Sequence, residues 1–199
     1  MAWDKGWNFR DTAAYVTDGT NETYVLIDSY PTTRNGVTFG WAAGAQQSRD
    51  RDSTVDRRLA GINFQANNGA QSNFRVDLPS TADYIVTLAL GDTAYSQGYQ
   101  YWRLLDNTTV LATIDDTNGT VGDNYDDATG VNRAEADWPS QNATIQKTFA
   151  STTLNVKIGA PTAQADSSTL AHLFLSQVAA GGLSIPVAAQ SYRQRRVMV

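Results

Sequence analysis

Phe74-Arg75-Val76-Asp77-Leu78-Pro79 is followed, after a short polar turn, by Asp83-Tyr84-Ile85-Val86-Thr87-Leu88-Ala89-Leu90. In the first stretch Phe74, Val76 and Leu78 fall on one side of an extended chain, and Arg75 and Asp77 on the other. That period of two belongs to a strand with one face on a core and one in water. The second stretch is apolar at nearly every position from Tyr84 to Leu90, which predicts a central strand covered on both faces. Working outward, Leu154, Val156 and Ile158 alternate with Asn155 and Lys157 in the same way. Further short runs mark strands over Tyr24–Ile27, Val37–Trp41, Leu59–Phe64, Gln100–Leu105, Val110–Ile114, Ile145–Phe149 and Thr169–Val178, with one more before Tyr15. Helical periodicity is almost absent. Roughly eight to ten short strands with Gly, Asn, Asp and Pro between them predict an all-β fold, a two-sheet antiparallel β-sandwich or jelly roll.

Two segments stand apart from this pattern. Asp115–Thr144 is rich in Asp, Asn, Gly and Thr, and it exceeds the ~15 residues beyond which structureless loops are uncommon and usually functional. Ala179-Ala180-Gly181-Gly182 reads as a flexible hinge. The jelly-roll domain is therefore expected to span residues 1–178, with 179–199 a hinge and basic C-terminal arm.

The 199 residues are enough to bury a core without a covalent staple. There is no cysteine, which excludes disulfides, thiolate metal sites and cysteine nucleophiles. Charged residues make up 18% of the chain, and the net charge is −5. No acidic residue follows Asp166, while Arg193, Arg195 and Arg196 stand near the end, so the body is acidic and the tail basic. An acidic body argues against nucleic acid, whose affinity comes mainly from phosphate neutralisation. The opening Met1-Ala2-Trp3-Asp4 shows no basic stretch leading into an apolar run, so no signal peptide is expected, and no segment reaches the ~18 apolar residues of a membrane helix.

The first half of the chain, from Trp7 to Asp92, resembles the galactose-binding-like jelly rolls. That group includes carbohydrate-binding modules and the β-sandwich domains attached to polysaccharide esterases and lyases. The resemblance is carried by Trp7-Asn8-Phe9, Gly36-Val37-Thr38-Phe39-Gly40-Trp41, Arg49-Asp50-Arg51-Asp52, Asp56-Arg57-Arg58-Leu59, the Phe74–Leu90 stretch and Gly91-Asp92. It implies a non-catalytic module that recognises a glycan. A second resemblance, of Ile185-Pro186-Val187 and Tyr192-Arg193-Gln194-Arg195-Arg196, is to the short basic ends of tailed-phage structural proteins. Together they imply a virion protein of decoration or fibre type, assembled in the host cytoplasm. Such a protein would attach to capsid or tail proteins as a homo-oligomer. The glycan-binding module is the alternative.

Side chains able to carry function fall into four groups. Tyr95, Tyr99, Tyr101, Trp102, Tyr125 and Trp138 lie in or beside the loops of the second half and are candidates for a glycan or protein interface, since aromatic rings offer an apolar face with a polar rim. Core positions are the competing reading. Asp115, Asp116, Asn118, Asp123, Asp126 and Asp127 are the candidate calcium ligands, although the spacing does not fit an EF-hand. Leu183, Ile185, Val187, Tyr192, Arg193, Arg195 and Arg196 form the candidate assembly arm. Arg49, Asp50, Arg51, Asp52, Asp56, Arg57 and Arg58 alternate in sign and predict an ion-pair network clamping the turn before Leu59. His172, the single histidine, sits between apolar neighbours, and no Gly-x-Ser-x-Gly elbow is present to pair with it. A strand histidine is expected there, and the chain as a whole is expected not to be an enzyme.

Overall fold

The computed structural model describes residues 3–12, 21–51, 57–92, 99–116, 125–129, 132–133 and 143–179. In chain order the strands are β1 (Asp4–Phe9), β2 (Glu22–Val25), β3 (Thr32–Arg34), β4 (Val37–Ala43), β5 (Gln47–Asp50), β6 (Gly61–Asn68), β7 (Ser72–Asp77) and β8 (Ala82–Gly91). They continue with β9 (Gln100–Asp106), β10 (Thr109–Asp116), β11 (Tyr125–Asp126), β12 (Asn132–Arg133), β13 (Ala143–Phe149), β14 (Thr153–Ile158), β15 (Ala163–Leu170) and β16 (His172–Gln177). Among the described residues the one helical piece is a 3-10 turn, Arg57–Leu59. None of their helices is long and apolar enough to cross a membrane.

Two large sheets pack as a sandwich. One runs β12-β11-β8-β16-β1-β2, with β13 also on β8; the other runs β10-β9-β14-β7-β4-β3. All their pairings are antiparallel except β1 with β2. Between them Trp7 and Phe9 of β1 meet Phe39, Trp41 and Phe74 of the facing sheet, the Phe9 and Phe74 ring centroids lying 4.9 Å apart. The quoted alternation is realised: Phe74, Val76, Leu78, Leu154, Val156 and Ile158 are all in this core. β8 is central, as its composition predicts, bonded to β16, β13 and β11. Its Leu88 and Leu90 enter the main core, while Ala89 on the other face packs against Leu59 and Ile62. Asn35 and Gly36 both have positive φ, 51° and 74°, as the tight β3–β4 hairpin requires.

A third sheet, β15-β6-β5, was not legible as a separate layer. Its strand β6 buries a polar edge: Asn63, Gln65 and Asn67 all face inward. Asn63 Oδ1 accepts from Trp41 Nε1 at 3.0 Å, Gln65 Oε1 from Ser72 Oγ at 2.7 Å, and Asn67 Oδ1 from the Ala160 amide and Ser168 Oγ at 2.9 Å. Their amide nitrogens donate to the Arg10 and Ile62 carbonyls, the Ala66 carbonyl and the Tyr99 carbonyl respectively.

Three expectations are corrected. The single strand expected over Thr169–Val178 is two strands in different sheets. The chain crosses between them at the small, buried Ala171, whose amide donates to the Ala89 carbonyl and whose carbonyl accepts from Phe9. Among the described residues Arg49, Asp50 and Arg51 form no ion pair with one another. Asp50 pairs with Arg10 at 3.0 Å, and Arg51 grips Asp92 through two hydrogen bonds of 2.7 and 2.6 Å. Finally, Asp115 and Asp116 belong to β10 and not to the long loop. Asp52, Asp56 and residues 183–199 lie outside the described residues.

Candidate functional site: an aromatic and polar sheet face

Strand alternation divides the β10-β9-β14-β7-β4-β3 sheet into a core face and an outer face. Opposite Trp102 and Leu104, β9 presents Tyr101 and Arg103 outward; β14 presents Asn155 and Lys157, and β7 presents Asn73, Arg75 and Asp77. Registers align these into rows. Arg103, Lys157 and Asn73 form one row, and Asn155, Arg75 and Gly40 the next.

At one corner stands Tyr30. The Arg75 guanidinium lies 4.4 Å from its ring centroid, and its hydroxyl donates to Asp77 Oδ2 at 2.9 Å. Arg75 Nε also donates to Asp77, at 2.9 Å. Arg75 and Asp77 each remain 35% exposed, so this triad sits at the surface. Burial and the Asp77 hydrogen bond push the Tyr30 hydroxyl pKa up, so it stays a donor. Such a ring is held in one orientation before any ligand arrives, which lowers the entropy cost of binding.

At the diagonal corner Tyr101 lies 5.9 Å from the Arg103 guanidinium. Arg103 also donates to Gln71, whose own amide donates to the Gly159 carbonyl. Asp115 is the register partner of Tyr101 on β10, and its carboxylate lies near the Tyr99 hydroxyl. Burial and the nearby Asp115 carboxylate raise the Tyr99 pKa to about 12. Between the corners Asn73 donates to Asn155 at 2.9 Å, and Asn155 to the Asn107 carbonyl at 2.6 Å. Strand spacings of about 4.8 Å and residue rises of about 3.4 Å put the two tyrosine corners on the order of 20 Å apart.

The sequence candidates thus divide. Tyr99, Tyr101 and Asp115 come together on this face. Trp102 does not: it is 1% exposed, belongs to the core, and its indole N–H donates to the Thr169 carbonyl at 2.8 Å. Its place one residue from Tyr101 on a strand turns it to the opposite side. Asp115 is exposed and Asp116 is buried, so they too point to opposite faces, and one cation cannot take both. Among the described residues no group of three or more acidic, His or Cys side chains is arranged to hold a metal. Tyr125 and Asp126 are placed only as the backbone of β11, beside Gly91 and Leu90; Asp127 accepts from Thr129. Tyr95, Trp138, Asn118 and Asp123 lie outside the described residues. Tyr30 was missed because it sits in an irregular segment, and only the fold sets it beside Arg75.

Two other features carry charge. A cleft of about 130 Å³ on the outer side of the three-stranded sheet is lined by Arg49, Arg51, Phe64 and Asp92; ligand pockets start at about 300 Å³. His172 is 1% exposed on β16, its Nε2 3.6 Å from Glu22 Oε1. Burial alone would raise the Glu22 pKa, but His172, Arg58 and Asn8 outweigh it and hold that carboxyl below its ordinary range.

Comparison with known proteins agrees with this architecture. No protein-family model and no curated protein sequence matches the chain. Among solved structures, protein YxiM from Bacillus subtilis matches over 89% of the chain at a TM-score of 0.57 and 14% identity. A Bacteroides uniformis β-glucuronidase, β-glucuronidase 2, matches over 89% at 0.51 and 13%. The matched regions are 40% and 18% of those longer proteins. A family 35 carbohydrate-binding module from Clostridium thermocellum also matches, over 66% of the chain at a TM-score of 0.36 and 12% identity. At these identities the likeness establishes the fold, an all-β jelly-roll sandwich, as the first half of the sequence led us to expect.

Proposed function

We propose that this chain is a non-catalytic carbohydrate-binding module, and that its ligand lies along the outer face of the β10-β9-β14-β7-β4-β3 sheet. The observation that carries the reading is the pair of surface tyrosines, Tyr30 and Tyr101, each held by an arginine on its own sheet face, with amides and charges between them. A sugar ring has one apolar face and a rim of hydroxyls. Ring stacking suits the first, and fixed Asn, Gln, Arg and Asp side chains suit the second. The separation of the corners favours an oligosaccharide over a single sugar. That a β-glucuronidase has a region of this fold adds support, since such an enzyme acts on a glycoside.

Attachment to a phage particle through the 183–199 arm is the other reading of the sequence, and no feature of the described residues favours it. A glycan array and soluble-polysaccharide affinity electrophoresis test the proposal. Retention that is lost on Tyr101→Ala and on Tyr30→Ala is expected. The absence of any hit with a folded protein would overturn it.

A further inference from the structure

Lys157 and Arg103 are directly opposite each other on the adjacent strands β14 and β9. Like charges placed opposite across a strand pair repel. Among the described residues neither side chain forms an ion pair. Arg103 is held by Gln71, which is neutral, and by the ring of Tyr101. Its Nε is buried and without a hydrogen-bond partner, as is the Oδ1 of Asn73 at the other end of the same row. Of the acids of this face, Asp77 is committed to Arg75 and Tyr30, and Asp115 forms no ion pair with either cation. A protein with a net charge of −5 therefore keeps two unneutralised cations side by side, next to the half-buried ring of Tyr101.

We infer that this row binds the carboxylate of an acidic glycan, with Tyr101 receiving the apolar face of the same or the next sugar. The inference rests on the carbohydrate-binding reading and narrows it to uronate-bearing chains. The anion removes the Lys157–Arg103 repulsion. An acidic peptide offers the same charge but no polyhydroxylated ring for the Tyr101 corner, so the glycan is favoured.

The probes are polygalacturonic acid and its fully methyl-esterified form, which has the same rings without the charge. Titration calorimetry should show the acid bound about two- to fivefold more tightly than the ester, the scale of one exposed ion pair. The difference should shrink with added salt. Lys157→Gln should reduce it while leaving the melting temperature equal or higher, because the repulsion with Arg103 is relieved and no partner is lost; Arg103→Lys should keep part of it. Equal binding of acid and ester overturns the inference and leaves the carbohydrate-binding reading intact. So does binding confined to neutral polysaccharides. Equal competition by polyglutamate also overturns it, by making the row an acidic-protein site. Failure of every polysaccharide removes the reading and the inference together.

Discussion

Gly40 lies directly beneath the backbone of Tyr30: a Cβ at position 40 would stand 2.6 Å from the Tyr30 nitrogen. The strand could not carry a side chain there and still let the Ser29–Tyr30 segment run against it, bonded through the Tyr30 amide to the Trp41 carbonyl at 3.1 Å. The φ of +142° at Gly40 adds a backbone reason for glycine. Gly40→Ala is therefore expected to lower stability by about 1–3 kcal/mol, and to unseat Tyr30 from Arg75. Urea denaturation reads the first effect and polysaccharide affinity the second. A variant of wild-type stability and affinity would show that Tyr30 is not seated this way.

Tyr101→Ala should do the opposite. The ring is half-exposed and outside the core, so the melting temperature should move little, while polysaccharide binding weakens roughly tenfold, equivalent to about 1.4 kcal/mol. A matched loss of stability and binding would mean the ring is structural.

For Trp102 the expectation reverses again. Trp102→Ala should cost about 3–5 kcal/mol through the cavity it leaves, and it also strips the Thr169 carbonyl of its donor. Chemical denaturation with binding measured on the folded fraction separates the two residues, adjacent in sequence and opposite in role.

Asp92 is 1% exposed and holds Arg51 through two hydrogen bonds. Removing one partner of this largely buried pair costs its charge-assisted hydrogen bonds, so Asp92→Asn should destabilise by about 1–3 kcal/mol. Denaturation midpoints of Asp92→Asn and of Arg51→Met, singly and together, would show the double variant losing less than the sum.

Glu22 and Asp50 both have folded-state pKa values below their ordinary 4.5 and 3.8. In each, burial raises the pKa. His172, Arg58 and Asn8 outweigh it for Glu22; for Asp50 the Thr12 and Asp11 hydrogen bonds and the Arg10 charge do so. The unfolded chain thus takes up protons at a higher pH than the folded one. The stability these groups contribute is complete above their ordinary pKa values and is lost as pH falls through their lowered folded ones. Thermal melts from pH 7 down to pH 3 should show that loss, and Glu22→Gln and Asp50→Asn should each flatten the slope. A melting temperature indifferent to acid would refute the assignment.

Much of this was legible in the chain, because alternation is a local signal. Phe74–Leu78 and Leu154–Ile158 declare which side is core, and Arg75 and Lys157, interleaved with them, declare the outer face. The placement of Tyr30 was not legible, since it depends on a contact between segments that pair only once the sheet exists. Nor was the three-stranded sheet. One buried face of this strand reads Asn63, Gln65, Asn67, while Ile62 on the other packs with Leu59 and Ala89, so both faces are covered and no apolar–polar alternation marks the layer. The break at Ala171 fails for a similar reason, since Thr169–Val178 is apolar enough to pass for one strand when a change of sheet is invisible in composition.

The inward amides of β6 bear on how the chain rejects wrong structures. Each donor and acceptor on Asn63, Gln65 and Asn67 has a particular counterpart, whereas a greasy strand would tolerate several alignments with its neighbours. A slip of β6 by one residue would turn Ile62, Phe64 and Ala66 toward the amide side and leave the Trp41 indole, the Ser72 hydroxyl and the Ala160 amide facing hydrocarbon. At about 1–3 kcal/mol for each buried polar group left alone, the misaligned sheet is excluded by several times the thermal energy. The row therefore acts as a proofreading element: it adds little to the depth of the native state, but it leaves the chain one place to put this strand.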